Sequence, residues 1–259
     1  MKLLIKIGGA HIDTSESRLS VAEKLAAVVK AGHQTVVVHG GGKQLSRYLR
    51  EHGIESEFRG GFRVTPPHIL DAVIRTLAGL VNHRLVAALQ QQGVRAVGLS
   101  GIDAGLVQAR RLSEELGAVG EVEQVDASVI ELLSANGYLP TVACIAGGRQ
   151  GAVFNVNADQ MAVACAGGFK ADRLVFLTDV EGVLDGEGRR ISTLPADEAL
   201  RLIETGVAKG GMEAKLRAAV AGIARGIPEV RIVAGSEPRV LERLLQGQNL
   251  GTALIPPKA

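Results

Sequence analysis

The chain reads as an α/β protein, a three-layer αβα sandwich around a mainly parallel open central sheet. Three observations predict this. Short continuous apolar runs alternate with stretches of helical periodicity, the pattern of strands buried on both faces joined by crossover helices. The connections between them are short, which makes successive strand–helix–strand units parallel and right-handed. Glycine-rich or polar loops follow several of the apolar runs, where ligands bind in open α/β sheets.

At 259 residues, with 46% hydrophobic and 22% charged residues, the chain is long enough for one large domain or two lobes. A formal charge of +2, no Trp and 3% aromatic residues supply neither a basic surface nor a stacking platform for nucleic acid. Lys6 breaks the opening apolar stretch, unlike a signal peptide, and no run approaches the roughly 20 apolar residues of a membrane span. Cys144 and Cys165 stand alone in apolar segments, and the histidines lack paired ligand spacing. The expectation is a cytoplasmic protein with no nucleic-acid or membrane partner and no metal site built from its own side chains.

The first strand, Met1-Lys2-Leu3-Leu4-Ile5-Lys6-Ile7, carries a lysine just before Gly8-Gly9. A lysine at the end of a doubly buried strand needs a partner, and glycine backbone beside it suits a phosphate. Ser15 or Ser17 caps the next helix, with Leu19, Ala22, Ala26 and Val29 on one face and Gly32 at its end. Strand 35–38 leads into His39-Gly40-Gly41-Gly42 and a helix from about Lys43, so two glycine turns share one rim of the sheet. Gly42-Lys43 is not a P-loop, because Gln44 stands where Ser or Thr is required, and no G-x-G-x-x-G pattern is present.

A turn-rich stretch, 55–65, contains Gly60-Gly61 and Arg63, whose fork suits a carboxylate. Pro66 and Pro67 open a long helix to about Gln92. Strand 96–100 follows, then hairpins across 106–125, a helix at 128–135 and strand 139–143. In Asn155-Val156-Asn157-Ala158-Asp159, Asn157 caps a helix, and the four-residue spacing turns Asn155 and Asp159 the same way. Gly167-Gly168 closes that helix. A second α/β unit has strand 173–178, a polar loop from Asp179, a helix at 197–205, then Gly210-Gly211-Met212 with Lys215 in the first turns of a long helix. Backbone N–H groups, the helix dipole and an ammonium there favour an anion. A strand at 229–233 and a last helix at 237–245 complete the expected elements.

Taken together, Lys6-x-Gly8-Gly9, His39-Gly40-Gly41-Gly42, Gly61-Phe62-Arg63-Val64-Thr65, Asn155-Val156-Asn157-Ala158-Asp159, Thr178-Asp179-Val180-Glu181-Gly182-Val183 and Gly210-Gly211-Met212-x-x-Lys215 resemble the amino acid kinase family in family order. Within it they are most similar to the acetylglutamate kinases of arginine biosynthesis. The resemblance spans essentially the whole chain and implies a carbamate kinase-like fold. Residues 1–169 would be the amino-acid-substrate lobe and 170–259 the nucleotide lobe. It also implies ATP as phosphoryl donor, with Mg²⁺ bound through the nucleotide phosphates.

By this resemblance Lys6 and Lys215 are the catalytic lysines that stabilise the phosphoryl group in flight, and Asp159 is the carboxylate that orients them. Gly41, Gly42, Arg63 and Asn155 correspond to the acyl-amino-acid site. Gly8 and Gly9 resemble the phosphate turn, and Asp179, Val180, Gly182, Val183, Leu184, Lys209, Gly210 and Gly211 the nucleotide pocket. The chemistry agrees. A carboxylate nucleophile is already ionised near neutral pH, so the site must align two anions and cancel charge rather than supply a base.

Phe62, Ile102, Ala104 and Lys209 depart from the commonest family pattern and bear on substrate identity. The rival reading is a kinase of carrier-protein-linked aminoadipate or glutamate, with Arg110-Arg111 contributing a cationic docking face. A second rival is a non-catalytic amino-acid sensor, which the presence of Lys6, Asp159 and Lys215 disfavours. Arginine-inhibited members resemble hexamers built through an extra N-terminal helix. Here the first strand begins at residue 2, so the expectation is an arginine-insensitive homodimer, with dimer contacts from the long helix.

Overall fold

The computed structural model describes residues 1–257. Its first elements are β1 (Lys2–Ile7), α1 (Ser15–Lys30), β2 (Gln34–His39) and α2 (Gly42–Glu51). The lysine strand is buried along five of its six residues. Thr14, rather than Ser15 or Ser17, caps α1. Its side chain accepts from Ser17 N while Ser17 Oγ accepts from Thr14 N, so the sequence holds a capping box with Ser in the returning position.

β3 (Phe58–Arg59) and β4 (Phe62–Arg63) form a two-stranded hairpin about Gly60 and Gly61, whose φ values of +55° and +83° require glycine. The long helix follows as α3 (Pro67–Val73), a π-helical stretch (Ile74–Val81) and α4 (Asn82–Gln91). This helix spans 25 residues with a mean hydropathy of 1.3 in its most apolar window, long and apolar enough to cross a membrane by length and composition alone. Half of that window is buried within the protein, because Leu77, Val81, Leu85 and Leu89 pack into the core.

After β5 (Ala96–Ser100), strands β6 (Val107–Arg111) and β7 (Val119–Val125) pair as the expected hairpin. Next come α5 (Ser128–Ala135) and β8 (Leu139–Ala143), then two unforeseen short strands, β9 (Ile145–Gly147) and β10 (Val153–Val156). These close a small barrel with the hairpin, in the order β10-β7-β6-β9. Asn155 therefore lies in a strand, and its spacing from Asp159 is not helical. α6 (Ala158–Phe169) runs through Gly167 and Gly168 instead of ending there. A Cβ on Gly168 would stand 2.8 Å from Val125, so this glycine allows close packing rather than a turn.

β11 (Arg173–Thr178), β12 (Thr193–Pro195), α7 (Ala196–Glu204), α8 (Gly211–Ala224), β13 (Val230–Ala234), α9 (Val240–Leu245) and β14 (Thr252–Ile255) complete the described chain. The sequence reading lacked β12 and β14. The main sheet has eight strands in the order β12-β14-β13-β11-β1-β2-β8-β5. It is parallel throughout except where β14 turns back against β13.

β1 lies mid-sheet between β11 and β2, and side-chain alternation sorts its residues between two cores. Leu3, Ile5 and Ile7 join the core that also holds Leu25 of α1, Leu85 of α4 and Leu244 of α9. Leu4 joins the opposite core, with Ile130 of α5, Met161 of α6 and Leu216 of α8. Lys6 shares the parity of Leu4, so the strand delivers its ammonium to the face where α6 begins.

Candidate active site

Lys6 Nζ lies 2.7 Å from Asp159 Oδ1, with side-chain exposures of only 11% and 15%. Asp159 stands in the first turn of α6, where Asn157 Oδ1 accepts from the N–H groups of Asp159 (2.9 Å) and Gln160 (3.3 Å). That cap fixes the helix start, and hence the direction from which the carboxylate meets β1. The pair is an ammonium held in place, not a solvated lysine at a strand end.

The two glycine turns abut. A Cβ on Gly9 would fall 3.1 Å from Gln44 Oε1 and 3.5 Å from Gly41 Cα, so the two turns lie in van der Waals reach of each other. Gly8 donates its N–H to Leu177 O at 3.3 Å, which ties it into the sheet. Gly9 begins the short 3₁₀ turn over Gly9–Ile12. Gly41 is the residue ahead of α2, and Gly42 the first residue of that helix. An α-helix leaves its first N–H groups without intrahelical partners, and here they open on the rim.

A cavity of about 560 Å³ beside this rim is lined by Gly40, Gly41, Gly42, Arg63, Asn155 and Ala158 among others. Arg63 is 7% exposed, yet its partners are neutral. It donates to Ser56 Oγ (2.5 Å), Ser46 Oγ (2.7 Å) and Gly42 O (3.4 Å), and its guanidinium lies 4.5 Å from the centre of the Phe58 ring. Burial pulls its pKa below the usual guanidinium value. A desolvated cation with neutral neighbours favours an incoming anion. Asn155 Nδ2 donates to Thr65 Oγ1 at 3.2 Å, which sets the amide on the cavity wall.

A second cavity of about 570 Å³ is lined by Gly60, Asp159, Gly210 and Glu213, and shares Gly61, Phe62 and Asn157 with the first. The two spaces meet where Asp159 and the hairpin stand. Gly210, with φ of +55°, precedes α8, and Gly211 is that helix's first residue. Lys215 is half-buried in α8 and its charge acts on Asp179, not through an ion pair to Asp159. Asp179 is held below the usual carboxylate range by hydrogen bonds from its own N–H and from Thr178 Oγ1, with Lys215 and His11 adding to the effect.

Of the other residues expected from the sequence at the nucleotide, Val180 N donates to Thr178 Oγ1 (3.3 Å) and Val183 N to Thr252 Oγ1 (2.8 Å). Gly182 packs against Thr252, where a Cβ would come within 2.7 Å of Oγ1. Val180 and Leu184 are exposed apolar side chains on this loop, at 37% and 50%. Lys209 is exposed, and its carbonyl accepts from Met212 N at 3.2 Å as α8 begins. Sequence reasoning brought out the lysines and glycines but assigned no role to His39 or Asn82. The ring of His39 and the amide of Asn82 meet at 2.9 Å beneath the second glycine turn. A histidine opening a glycine run was the only signal.

The cationic face that the carrier-linked rival would need at Arg110 and Arg111 is neutralised. Arg110 pairs with Glu121 (2.6 Å) and Glu123 (3.6 Å), and Arg111 with Glu114.

The amino acid kinase family model matches residues 1–234. An acetylglutamate kinase of Solibacter usitatus is 53% identical over 255 residues, covering 98% of this chain and 99% of that one. An acetylglutamate kinase of Koribacter versatilis is 41% identical over 258 residues, with the same shares covered. Among solved structures, carbamate kinase from Giardia lamblia bound to AMP-PNP superposes with a TM-score of 0.75 at 18% identity, over 98% of each chain. N-acetylglutamate synthase from Neisseria gonorrhoeae, complexed with coenzyme A and N-acetyl-glutamate, gives 0.89 at 24% identity, over 100% of this chain and 60% of that one. These last two likenesses concern the fold.

Proposed function

The chain belongs to the amino acid kinase family, and from that premise we propose that it transfers the γ-phosphoryl group of ATP to the side-chain carboxylate of N-acetyl-L-glutamate. The products are N-acetyl-L-glutamyl 5-phosphate and ADP, and the step belongs to arginine biosynthesis. The observation that carries the substrate assignment is Arg63, a buried guanidinium with neutral partners on the wall of a cavity that opens beside Lys6 and Asp159.

In this reading residues 1–169 hold the amino acid and residues 170–259 the nucleotide. Arg63 takes the α-carboxylate in a two-pronged hydrogen bond, Asn155 steadies the acylated end, and the N–H groups of Gly41 and Gly42 face the reacting carboxylate. The γ-phosphoryl lies between the glycine turns, where Lys6 and Lys215 cancel charge on its oxygens as it passes across. Asp159 orients Lys6 from 2.7 Å and acts through it. Gly9, Gly210 and Gly211 give the phosphates backbone access, while the loop containing Val180, Gly182, Val183 and Leu184, with Lys209, borders the base and ribose.

The fit for Mg²⁺ is to an ion held through phosphate oxygens and waters, because the rim carboxylates already have partners: Asp159 the ammonium of Lys6 and Asp179 the hydroxyl of Thr178. When bound, it supplies charge neutralisation at the phosphates. The reading includes a cytoplasmic homodimer packed through the long helix, whose outer side leaves Ile74 and Leu80 exposed at 36% and 41%.

Trapping the acyl phosphate as its hydroxamate tests the assignment. ATP-dependent hydroxamate should form with N-acetyl-L-glutamate and far more slowly with glutamate, aspartate or N-acetyl-aminoadipate. A preference for any of the other three would move the substrate assignment, and no trapped product with any of them would remove the activity.

A further inference from the structure

His39 ends β2 and is fully buried, at 0% exposure. It shares the parity of Val37, so the strand turns its ring toward the face covered by α1 and α4. There Asn82, the first residue of α4 and itself 3% exposed, comes up beneath the ring.

The hydrogen bonds fix both side chains. Asn82 Nδ2 lies 2.8 Å from Thr141 O, 3.4 Å from Leu99 O and 2.9 Å from His39 Nε2. Two carbonyl neighbours identify that atom as the amide nitrogen, which only donates. Nε2 of His39 therefore accepts, and the ring proton sits on Nδ1, which donates to Gly40 O at 2.9 Å. Burial pushes the pKa of this imidazole down to about 4, with the bond to Gly40 partly opposing. The ring is accordingly neutral across the physiological range.

The consequence falls on the next peptide. A trans peptide is planar, with its C=O and the following N–H pointing in opposite directions. Anchoring Gly40 O to the buried imidazole turns the N–H of Gly41 the other way, toward the cavity that Gly41 lines. The same helix also closes on the turn from the side, since a Cβ on Gly41 would stand 3.2 Å from Leu77 and 3.4 Å from Val81.

We propose that His39, gripped by Asn82 of the long helix, is a positioning residue that sets the orientation of the Gly40–Gly41 peptide and thereby the affinity for the acylated amino acid. The proposal rests on the reading that Gly41 and Gly42 hold that substrate. Neither side chain touches the reacting atoms. The long helix thus reaches the substrate turn through one amide–imidazole contact.

The test is steady-state kinetics of the full chain carrying His39→Asn, His39→Gln or Asn82→Ala, with Arg63→Ala run alongside. An Asn side chain at 39 places an N–H donor where Nδ1 stands and keeps the bond to Gly40 O. A Gln at 39 reaches Asn82 in place of Nε2 and loses it. His39→Gln and Asn82→Ala should raise KM for N-acetyl-L-glutamate about tenfold with KM for ATP nearly unchanged, as expected when a buried acceptor or donor is left unpaired. His39→Asn, which keeps the donor to Gly40 O but loses the contact with Asn82, should raise it clearly less than His39→Gln does.

Equal KM values in the two position-39 variants would overturn the proposal, as would a parallel rise in KM for ATP. If Asn82→Ala does not fold, the Asn-against-Gln comparison decides alone. An unchanged KM in Arg63→Ala would instead defeat the reading of the pocket. A raised KM there, with no separation at position 39, would defeat this proposal only.

Discussion

Replacing Arg63 with methionine should move affinity and stability in different directions. The guanidinium is 7% exposed and spends its hydrogen bonds on Ser56, Ser46 and Gly42 O, all neutral. The unliganded protein therefore carries the desolvation cost of a charge that no carboxylate offsets. In the proposed reading, substrate supplies that carboxylate. Two hydrogen bonds to a charged group at about 1.5 kcal/mol each, the lower end of their range, amount to about 3 kcal/mol, or roughly 10²-fold in affinity. Arg63→Met keeps much of the side-chain volume under Phe58 while removing the charge. Exchanging a buried charge for an apolar group of similar size is often neutral or stabilising. KM for N-acetyl-L-glutamate should thus rise by about 10²-fold with kcat little changed, while the urea midpoint stays level or rises. Initial rates by coupled ADP release, with urea unfolding of the same preparations, provide the check. An unchanged KM would refute the carboxylate contact. A midpoint that falls steeply would show that Arg63 is a structural cation whose three neutral bonds outweigh its desolvation.

His39 ties stability to pH. Its pKa is about 4 in the folded protein against 6.5 for the free side chain, so the folded state binds the proton less readily. Its contribution is complete above pH 6.5 and is lost as pH falls toward 4, by about 3 kcal/mol in all. Urea unfolding at pH 7.0, 5.5 and 4.5 should show this decline, and His39→Asn should flatten it; identical profiles would exclude His39 as the cause. Arg110→Ala should leave kcat/KM for free N-acetyl-L-glutamate within twofold, because Arg110 is committed to Glu121 and Glu123 on the surface. A large loss would show that Arg110 bears on the site itself rather than only on its two surface partners. Gly41→Ala, whose Cβ would press Leu77 at 3.2 Å, should raise KM for the acylated amino acid and spare KM for ATP, read in the same coupled assay.

Much of the fold was legible because doubly buried strands are written as nearly continuous apolar runs, broken at most by one or two polar residues. β1, β2, β8, β11 and β13 all read this way, and each is buried along nearly its whole length. The missed strands had no such signature. β9 and β12 are three residues long and β10 and β14 four, too short for periodicity to rise above their surroundings. They exist because the barrel and the sheet edge give their backbones partners. Gly167-Gly168 misled for a related reason. Glycine marks a helix end by its φ and marks close packing by its missing Cβ, and only the neighbour, Val125, distinguishes the two.

At the site, Lys6 and Asp159 were legible from type and place, and strand parity with the Asn157 cap explains why they meet. The sequence reading gave Asp159 both lysines; the ion pair is with Lys6, while the charge of Lys215 adds a smaller effect on Asp179. The His39–Asn82 contact links positions 43 residues apart through the stacking of α4 on the sheet, which no local pattern encodes.

Lys215 is the residue at which to ask whether two lysines carry the phosphoryl group between ATP and substrate. Lys6→Ala would also strand the Asp159 carboxylate 2.7 Å away, whereas Lys215 is half-buried and pairs with no carboxylate within 4 Å among the described residues, so its removal strands no ion-pair partner. The measurement is kcat for hydroxamate formation from N-acetyl-L-glutamate at saturating ATP in purified Lys215→Ala. The expected result is a fall of about 10²-fold or more in kcat with both KM values changed far less, the scale set by losing a pre-organised charge-stabilising donor. Turnover at the unaltered rate in the folded variant would mean that Lys215 has no part in the transfer.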